Sequence, residues 1–234
     1  LCAVEYKKEA IVSALLKAGA NAEVKTEQGW TPLMLMVIEE KESMVNALLN
    51  GGADVDATDD EGLTPLMWAE SKAIVEALIN AGANVEAQNS YGWTPLLSMI
   101  MDSTGWEHDK NDIASLLINA GADLDFKTKD GETLLFTAIF HNNLKAFELL
   151  LNAGANVNAP SSNGITPLMF AVGANQKAMV KALINAGANV NVEDNDGRTA
   201  LSFTGNNSRK SKRDYADTSK LLIEAGAKVG VELQ

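Results

Sequence analysis

Residues 150–168 read LLNAGANVNAPSSNGITPL, and this stretch decides the fold because both of its ends recur along the chain. Relatives of LLNAGA carry a shared glycine at Gly19, Gly52, Gly82, Gly121, Gly154, Gly187 and Gly226. Ten residues after each of the first six stands another glycine, which opens a segment related to Gly-x-Thr-Pro-Leu, at Gly29, Gly62, Gly92, Gly131, Gly164 and Gly197. Two linked motifs at a fixed spacing predict a repeat protein.

Each repeat reads as a pair of helices followed by a polar loop. A Thr-Pro pair such as Thr166-Pro167 favours a helix start, because threonine caps helices and proline loses nothing at the first helical position. A second helix shows apolar residues at helical spacing, as in Met179, Val180, Leu183 and Ile184. It ends at the shared glycine, which can adopt the left-handed conformation, and residues 188–197 are rich in turn formers.

One helix pair cannot bury its apolar face alone, whereas stacked pairs share a continuous core. The sequence therefore predicts an all-α repeat solenoid that forms one domain over residues 1–234. Its units are a partial repeat over 1–28 and six further repeats, over 29–61, 62–91, 92–130, 131–163, 164–196 and 197–234.

The period and the Thr-Pro-Leu segments resemble the ankyrin repeat family over nearly the whole chain. The histidine of the family signature is absent, and its place holds Met34, Met67, Leu97, Phe136, Met169 and Ser202. In the family this histidine ties adjacent loops by hydrogen bonds, so we expect apolar contacts to substitute for it. Leu134 and Ala200 replace the proline in two units. The irregular glycine spacings place length changes between the paired helices, with inserts centred on 102–110 and 206–214.

The resemblance implies that partners bind the hairpin tips and inner helices on the concave side. The residue after each Thr-Pro-Leu glycine would lie there, which gives Trp30, Leu63, Trp93, Glu132, Ile165 and Arg198, with Tyr91 beside them. Trp and Tyr are typical of binding hot spots. We therefore hypothesise that Trp30, Leu63, Tyr91 and Trp93 anchor a protein or peptide. The alternative is that these side chains fold onto the neighbouring hairpin. Trp68, within an inner helix, is expected in the core.

The two inserts are secondary candidates for binding. The first carries Trp106 and His108, and the second is basic, with Arg209, Lys210, Lys212 and Arg213. Longer loops often carry function, although tolerated, solvated insertions explain both segments as well.

The composition limits the kinds of partner and the cellular location that we expect. The 234 residues carry a net charge of −12, so we expect no nucleic-acid partner, and a basic protein is electrostatically easier. No apolar run reaches the roughly 18 residues of a transmembrane helix, so we expect no membrane insertion. Cys2 is the single cysteine, which fits a reducing compartment. A cytoplasmic location is favoured, and secretion or a periplasmic location stays open, because the chain begins without Met and reads as trimmed.

The sequence lacks a set of residues for chemistry. Its two histidines, His108 and His141, lie in different repeats, and no glycine-rich phosphate loop is present. The acidic turns fail the calcium-loop pattern, so Asp54, Asp56, Asp59 and Asp194 read as turn formers. We therefore expect no catalytic residue, no metal and no cofactor, and a protein that is not an enzyme.

The leading hypothesis is a monomeric protein-interaction module. Two alternatives stay open: the substrate-recruiting region of a larger enzyme or toxin, and an inhibitor or immunity-type partner of a basic protein. The amino-acid sequence of the repeat motifs suggests a bacterial source.

Overall fold

The structure, a computed structural model, describes residues 9–101, 108–204 and 215–228, and the side chains of residues 9, 108 and 109 are outside this description. The chain divides into two compact units, Leu1–Asp123 and Leu124–Gln234, which are described separately below. The organisation as one domain over 1–234 stays a prediction.

Among the described residues, the first unit holds an outer helix followed by three inner–outer helix pairs. Its helices are α1 Glu9–Lys17, then α2 Pro32–Ile38 with α3 Glu42–Asn50, α4 Pro65–Trp68 with α5 Lys72–Asn80, and α6 Pro95–Met101 with α7 His108–Asn119. Each inner helix packs on the next inner helix, and each outer helix on the next outer helix.

The second unit repeats this arrangement three times. Its pairs are α8 Leu134–Phe140 with α9 Leu144–Asn152, α10 Pro167–Gly173 with α11 Lys177–Asn185, and a 3-10 helix Ala200–Phe203 with α12 Ala216–Glu224. The inner helices α8 and α10 pack together, and the 3-10 helix packs on α10. The predicted all-α repeat solenoid is thus confirmed as stacked helix pairs within each unit.

Threonine caps start most of the inner helices, as the Thr-Pro motif predicts. The hydroxyls of Thr31, Thr133 and Thr166 each accept a hydrogen bond of 3.3 Å from the backbone N–H three residues later. Thr64 differs, because its buried hydroxyl has no hydrogen-bond partner among the described residues. Its helix, α4, has four residues where α2 has seven.

The repeat over residues 62–91 is shorter than the others, and the residues that it lacks come from its inner helix. In both α2–α3 and α4–α5, three residues join the helices, so the missing three residues correspond to the last turn of α4. The expectation that length changes fall between the helices is therefore wrong for this repeat. In the next repeat α7 has 12 residues where α3 has nine, so part of that insert lengthens the outer helix.

Hydrogen bonds between side chains and backbone tie adjacent loops together, and we call this set the polar ladder. In the first unit the side chains of Glu23, Asp56 and Glu86 accept the backbone N–H of Asp54, Asn84 and Asp123 at 2.9–3.0 Å. In the second unit Asp125, Asn158 and Asn191 accept those of Asn156, Asn189 and Lys228 at 2.8–2.9 Å.

The polar ladder corrects the expectation that apolar contacts substitute for the family histidine. Met34, Leu97, Phe136 and Met169 are buried in its place, but the loops themselves are joined by polar bonds. Asp54, Asp56, Asp59 and Asp194 all accept backbone N–H groups, as expected of turn formers.

The hairpin-tip glycines adopt positive φ, and most of them touch the next hairpin of their unit. Gly164 has φ +77°, and a Cβ there would lie 2.8 Å from the backbone nitrogen of Asn195. Gly197 has φ +73°, and no described residue lies within 4 Å of the Cβ position. Glycine thus allows the left-handed backbone conformation at every tip, and at some tips it also allows the next hairpin to pack closely.

Candidate partner-binding surface

A side-chain oxygen organises each hairpin tip in the first unit. The Oδ1 atom of Asp59 accepts the backbone N–H of Leu63 at 2.8 Å, and Asn89 accepts that of Trp93 at 3.0 Å. Thr26 does the same for Trp30 at 3.2 Å through its hydroxyl. Because these bonds fix the backbone of the residue after each glycine, the tips present Trp30, Leu63 and Trp93 from rigid turns.

The strip predicted to bind a partner is partly covered by its neighbours. Tyr91 is 57% exposed, whereas Trp30, Leu63 and Trp93 are half-buried. The rings of Tyr91 and Trp93 lie 5.3 Å apart, and Trp30 meets Trp68 edge to face at 6.0 Å. Two aromatic pairs therefore involve the strip, Tyr91 with Trp93 and Trp30 with Trp68, and each keeps part of its surface accessible.

Trp68 does not lie in the core, contrary to expectation. It is half-buried, and its indole N–H donates to Oδ2 of Asp59 over 3.1 Å. It lines a concavity of 390 Å³, here called the Trp groove, whose other lining residues are Glu27, Gln28, Trp30, Asp59, Asp60 and Glu61. Sequence reasoning missed this site. Its only sequence signal was a tryptophan in the one repeat that is three residues short.

The Trp groove is acidic. Four of its lining residues carry carboxylates, and none carries a positive charge. The nearby ammonium of Lys25 donates to the carbonyl of Thr58 at 2.7 Å. Asp59 is occupied by turn and indole hydrogen bonds, and no hydrogen bond or ion pair within the described residues uses the carboxylates of Glu27, Asp60 and Glu61. The groove therefore favours a cation over an anion.

In the second unit Arg198 forms ion pairs with two carboxylates of its own hairpin, those of Asp194 and Asp196. Its Nε and Nη2 atoms lie 2.9 and 2.8 Å from Oδ2 of Asp194, Nη2 lies 3.0 Å from Asp196, and its Cζ lies 5.0 Å from the ring centre of Phe203. Burial opposes the charged form of Asp194, but hydrogen bonds from the side chain and backbone of Arg198 outweigh it and lower the pKa of Asp194. The hydrogen bond to Asp194 in turn raises the pKa of Arg198.

The other tip residues of the second unit are half-buried. Ile165 and Glu132 both fall in this class. Burial, and then the charge of Asp130, raise the pKa of Glu132. The hypothesis that Ile165 and Arg198 contact a partner stays a prediction.

The second unit also exposes an apolar patch that sequence reasoning did not name. Phe140, the last residue of α8, is 61% exposed and stacks on Phe170 at 5.9 Å. His141 lies beside it at 5.2 Å between ring centres, and Leu144 is 42% exposed. Ile38 holds the same position at the end of α2 and is 37% exposed. The sequence signal for this patch was an apolar residue at the end of the inner helix, just before the polar residues that join it to the outer helix.

The secondary candidates in the inserts fall largely outside the described residues. This applies to Trp106, Arg209, Lys210, Lys212 and Arg213. His108 begins α7, but its side chain is not described. In the described parts of the chain, no three His, Cys, Asp or Glu side chains are grouped to hold a metal ion. Over the same residues, no helix combines the length and apolarity that crossing a membrane requires.

Family models of ankyrin repeats match most of the chain. A model of three ankyrin repeat copies matches residues 1–89 and 70–161, and a model of many copies matches residues 150–203. The chain belongs to the ankyrin repeat family. No curated protein matches it.

Solved structures of ankyrin repeat domains are similar to this chain over most of its length. That of Bcl-3, a member of the IkappaB protein family, is 28% identical with a TM-score of 0.79, over 91% of this chain and 95% of its own. One from Acinetobacter baumannii is 30% identical with a TM-score of 0.70, over 84% and 98%. That of human ASB11 is 21% identical with a TM-score of 0.71, over 97% of both chains, and supports the fold alone. Ankyrin repeat domains are generally protein–protein interaction modules.

Proposed function

We propose that this chain binds a protein or peptide through the hairpin tips of its first unit and catalyses no reaction. The supporting observation is the pair of aromatic contacts there: Tyr91 with Trp93, and Trp30 with Trp68. Rigid aromatic side chains that remain partly accessible are the groups that contribute most at protein interfaces. The turn hydrogen bonds that fix the tips limit the entropy lost on binding.

Affinity capture from the native organism, with wild-type protein and a Trp30→Ala/Trp93→Ala variant side by side, tests this proposal. We expect the double variant to keep the helical circular dichroism of the wild type and to lose the partner. Phe140→Ala is the matched control, because it removes an exposed aromatic ring of the second unit and should leave capture unchanged. A double variant that stays folded and retains its partner would refute the proposed surface.

The acidity of the molecule favours one further candidate, an inhibitor or immunity-type partner of a basic protein. The net charge of −12 supports a basic target, as do the carboxylates of the Trp groove that have no partner in the part of the chain that the structure describes. Recovery of a basic protein at one-to-one stoichiometry, with its own activity blocked in the complex, would distinguish this role from that of a general scaffold.

A further inference from the structure

We propose that the Trp groove is a receptor for an arginine side chain carried by an extended segment of the partner. The inference rests on the proposed function, and it adds the chemistry of the partner and the place where that chemistry is recognised.

The aromatic walls of the groove suit a planar cation. Trp30 and Trp68 meet edge to face at an interplanar angle of 75° rather than in a closed stack, so neither ring covers both faces of the other. Trp68 is fixed, because its N–H is held by the Asp59 carboxylate at 3.1 Å. A cation over an indole face is attracted by the π electrons, and tryptophan is the strongest of the aromatic residues in this interaction.

Charge complementarity identifies the occupant. Glu27, Asp60 and Glu61 line the groove with carboxylates that have no partner within the described residues, and no lysine or arginine lines it. Guanidinium is planar, offers five donors and is less strongly hydrated than ammonium. It can therefore lie against an indole ring while its N–H groups reach the carboxylates, which an ammonium group does less well.

The short helix α4 leaves room for the rest of the segment. Trp68 also lines a second recess of 220 Å³, together with Met67, Ala69, Glu70, Ser98, Met99, Lys110 and Ile113. The buried hydroxyl of Ser98 has no hydrogen-bond partner in the described part of the chain. An extended backbone that crosses Trp68 would place its amide groups along this recess.

Nuclear magnetic resonance with short peptides tests the proposal without a natural partner. The probes are acetyl-Gly-Ser-Arg-Ser-Gly-amide and the same peptide with citrulline, which keeps the shape of arginine and lacks its charge. We expect the arginine peptide to shift the indole N–H signals of Trp30 and Trp68 saturably, with an affinity roughly tenfold above that of the citrulline peptide. Trp30→Phe and Trp68→Phe assign the signals.

Removal of the unpaired carboxylates should abolish the preference for arginine. The variant combines Glu27→Gln, Asp60→Asn and Glu61→Gln, all at exposed positions. Its control carries Glu42→Gln, Glu76→Gln and Glu148→Gln, which change the net charge equally on exposed outer-helix positions. The control should bind arginine as the wild type does.

Three results would overturn the inference: equal binding of the citrulline peptide, equal or tighter binding of a lysine peptide, or equal loss of affinity in the two carboxylate variants. Each is independent of the capture experiment. A partner captured through Trp30 and Trp93 without arginine selectivity would remove this inference alone, whereas arginine selectivity without any partner would remove only the proposed function.

Discussion

Two glycines of the second unit, Gly164 and Gly197, make a matched pair for measuring how much hairpin packing stabilises the stack. Both adopt nearly the same backbone conformation, with φ of +77° and +73°. An alanine Cβ at Gly164 would lie 2.7 Å from Oδ1 and 2.8 Å from the backbone nitrogen of Asn195, whereas at Gly197 no described residue lies within 4 Å of the Cβ position. Replacing each by alanine therefore adds the same backbone strain, and of the two it is Gly164 that brings a steric clash with a described residue.

The magnitudes follow from these contacts. The left-handed conformation costs an alanine about 1–2 kcal/mol, and this cost is common to both variants. To relieve the clash at Gly164, the Asn195 backbone must move. Its N–H bond to the Asn163 carbonyl and its side-chain bond to the Ser162 carbonyl, both of 3.2 Å, would then be lost. At roughly 0.5–1.5 kcal/mol per hydrogen bond, Gly164→Ala should cost about 1–3 kcal/mol more than Gly197→Ala.

Urea denaturation of the two variants, followed by far-ultraviolet circular dichroism, gives the free energies of unfolding. Global fits that treat repeats as coupled neighbours accommodate any departure from two-state behaviour. Equal destabilisation by the two substitutions, within about 0.5 kcal/mol, would refute the reasoning that the hairpins are in close contact at Gly164.

Three further predictions concern single positions. Glu40 has φ 55° where two other repeats use Asn142 and Asn175, so Glu40→Asn should stabilise the protein by about 0.5–1 kcal/mol in thermal denaturation. Thr166→Ala should cost about 1 kcal/mol in the same assay, because it removes a helix cap. Thr64→Val should leave the stability unchanged, because the buried Thr64 hydroxyl has no partner among the described residues. Because folding lowers the pKa of Asp194, its contribution to stability is present above the ordinary aspartate pKa of about 3.9 and is lost as pH falls below it. Urea denaturation at a series of pH values should show this loss in the wild type and a flatter profile in Asp194→Asn.

The fold was predictable because it depends on local signals that repeat. Thr166 with Pro167 marks a helix start, and Gly187 marks a helix end, and both act through backbone geometry within a few residues. Stacking then follows from the apolar periodicity of the helices. The Asp59 and Asp194 turns were also predictable, because a side-chain oxygen that bonds nearby N–H groups requires no knowledge of distant contacts.

The details of the candidate site depend on contacts between repeats, which the sequence alone does not give. Trp68 was expected in the core by analogy with its slot, yet Leu35 and Phe170, which hold this slot in repeats with longer inner helices, are also half-buried. Trp68 instead lies beside a tryptophan 38 positions earlier in the chain. The local pairing of Arg198 with Asp194 was equally hidden, since the sequence does not indicate which carboxylate a guanidinium will select.

The six bonds of the polar ladder in which a side-chain oxygen accepts a backbone N–H all run in one direction. Each repeat offers a side-chain oxygen to the backbone of its successor, as Asp56 does for Asn84 and Asn158 does for Asn189. Because donor and acceptor belong to consecutive copies, a duplicated copy brings its own acceptor and finds a matching donor in the next. Arrays of this kind can therefore gain or lose whole copies during evolution without compensating substitutions at the junction, and an engineered chain could be lengthened by the same rule.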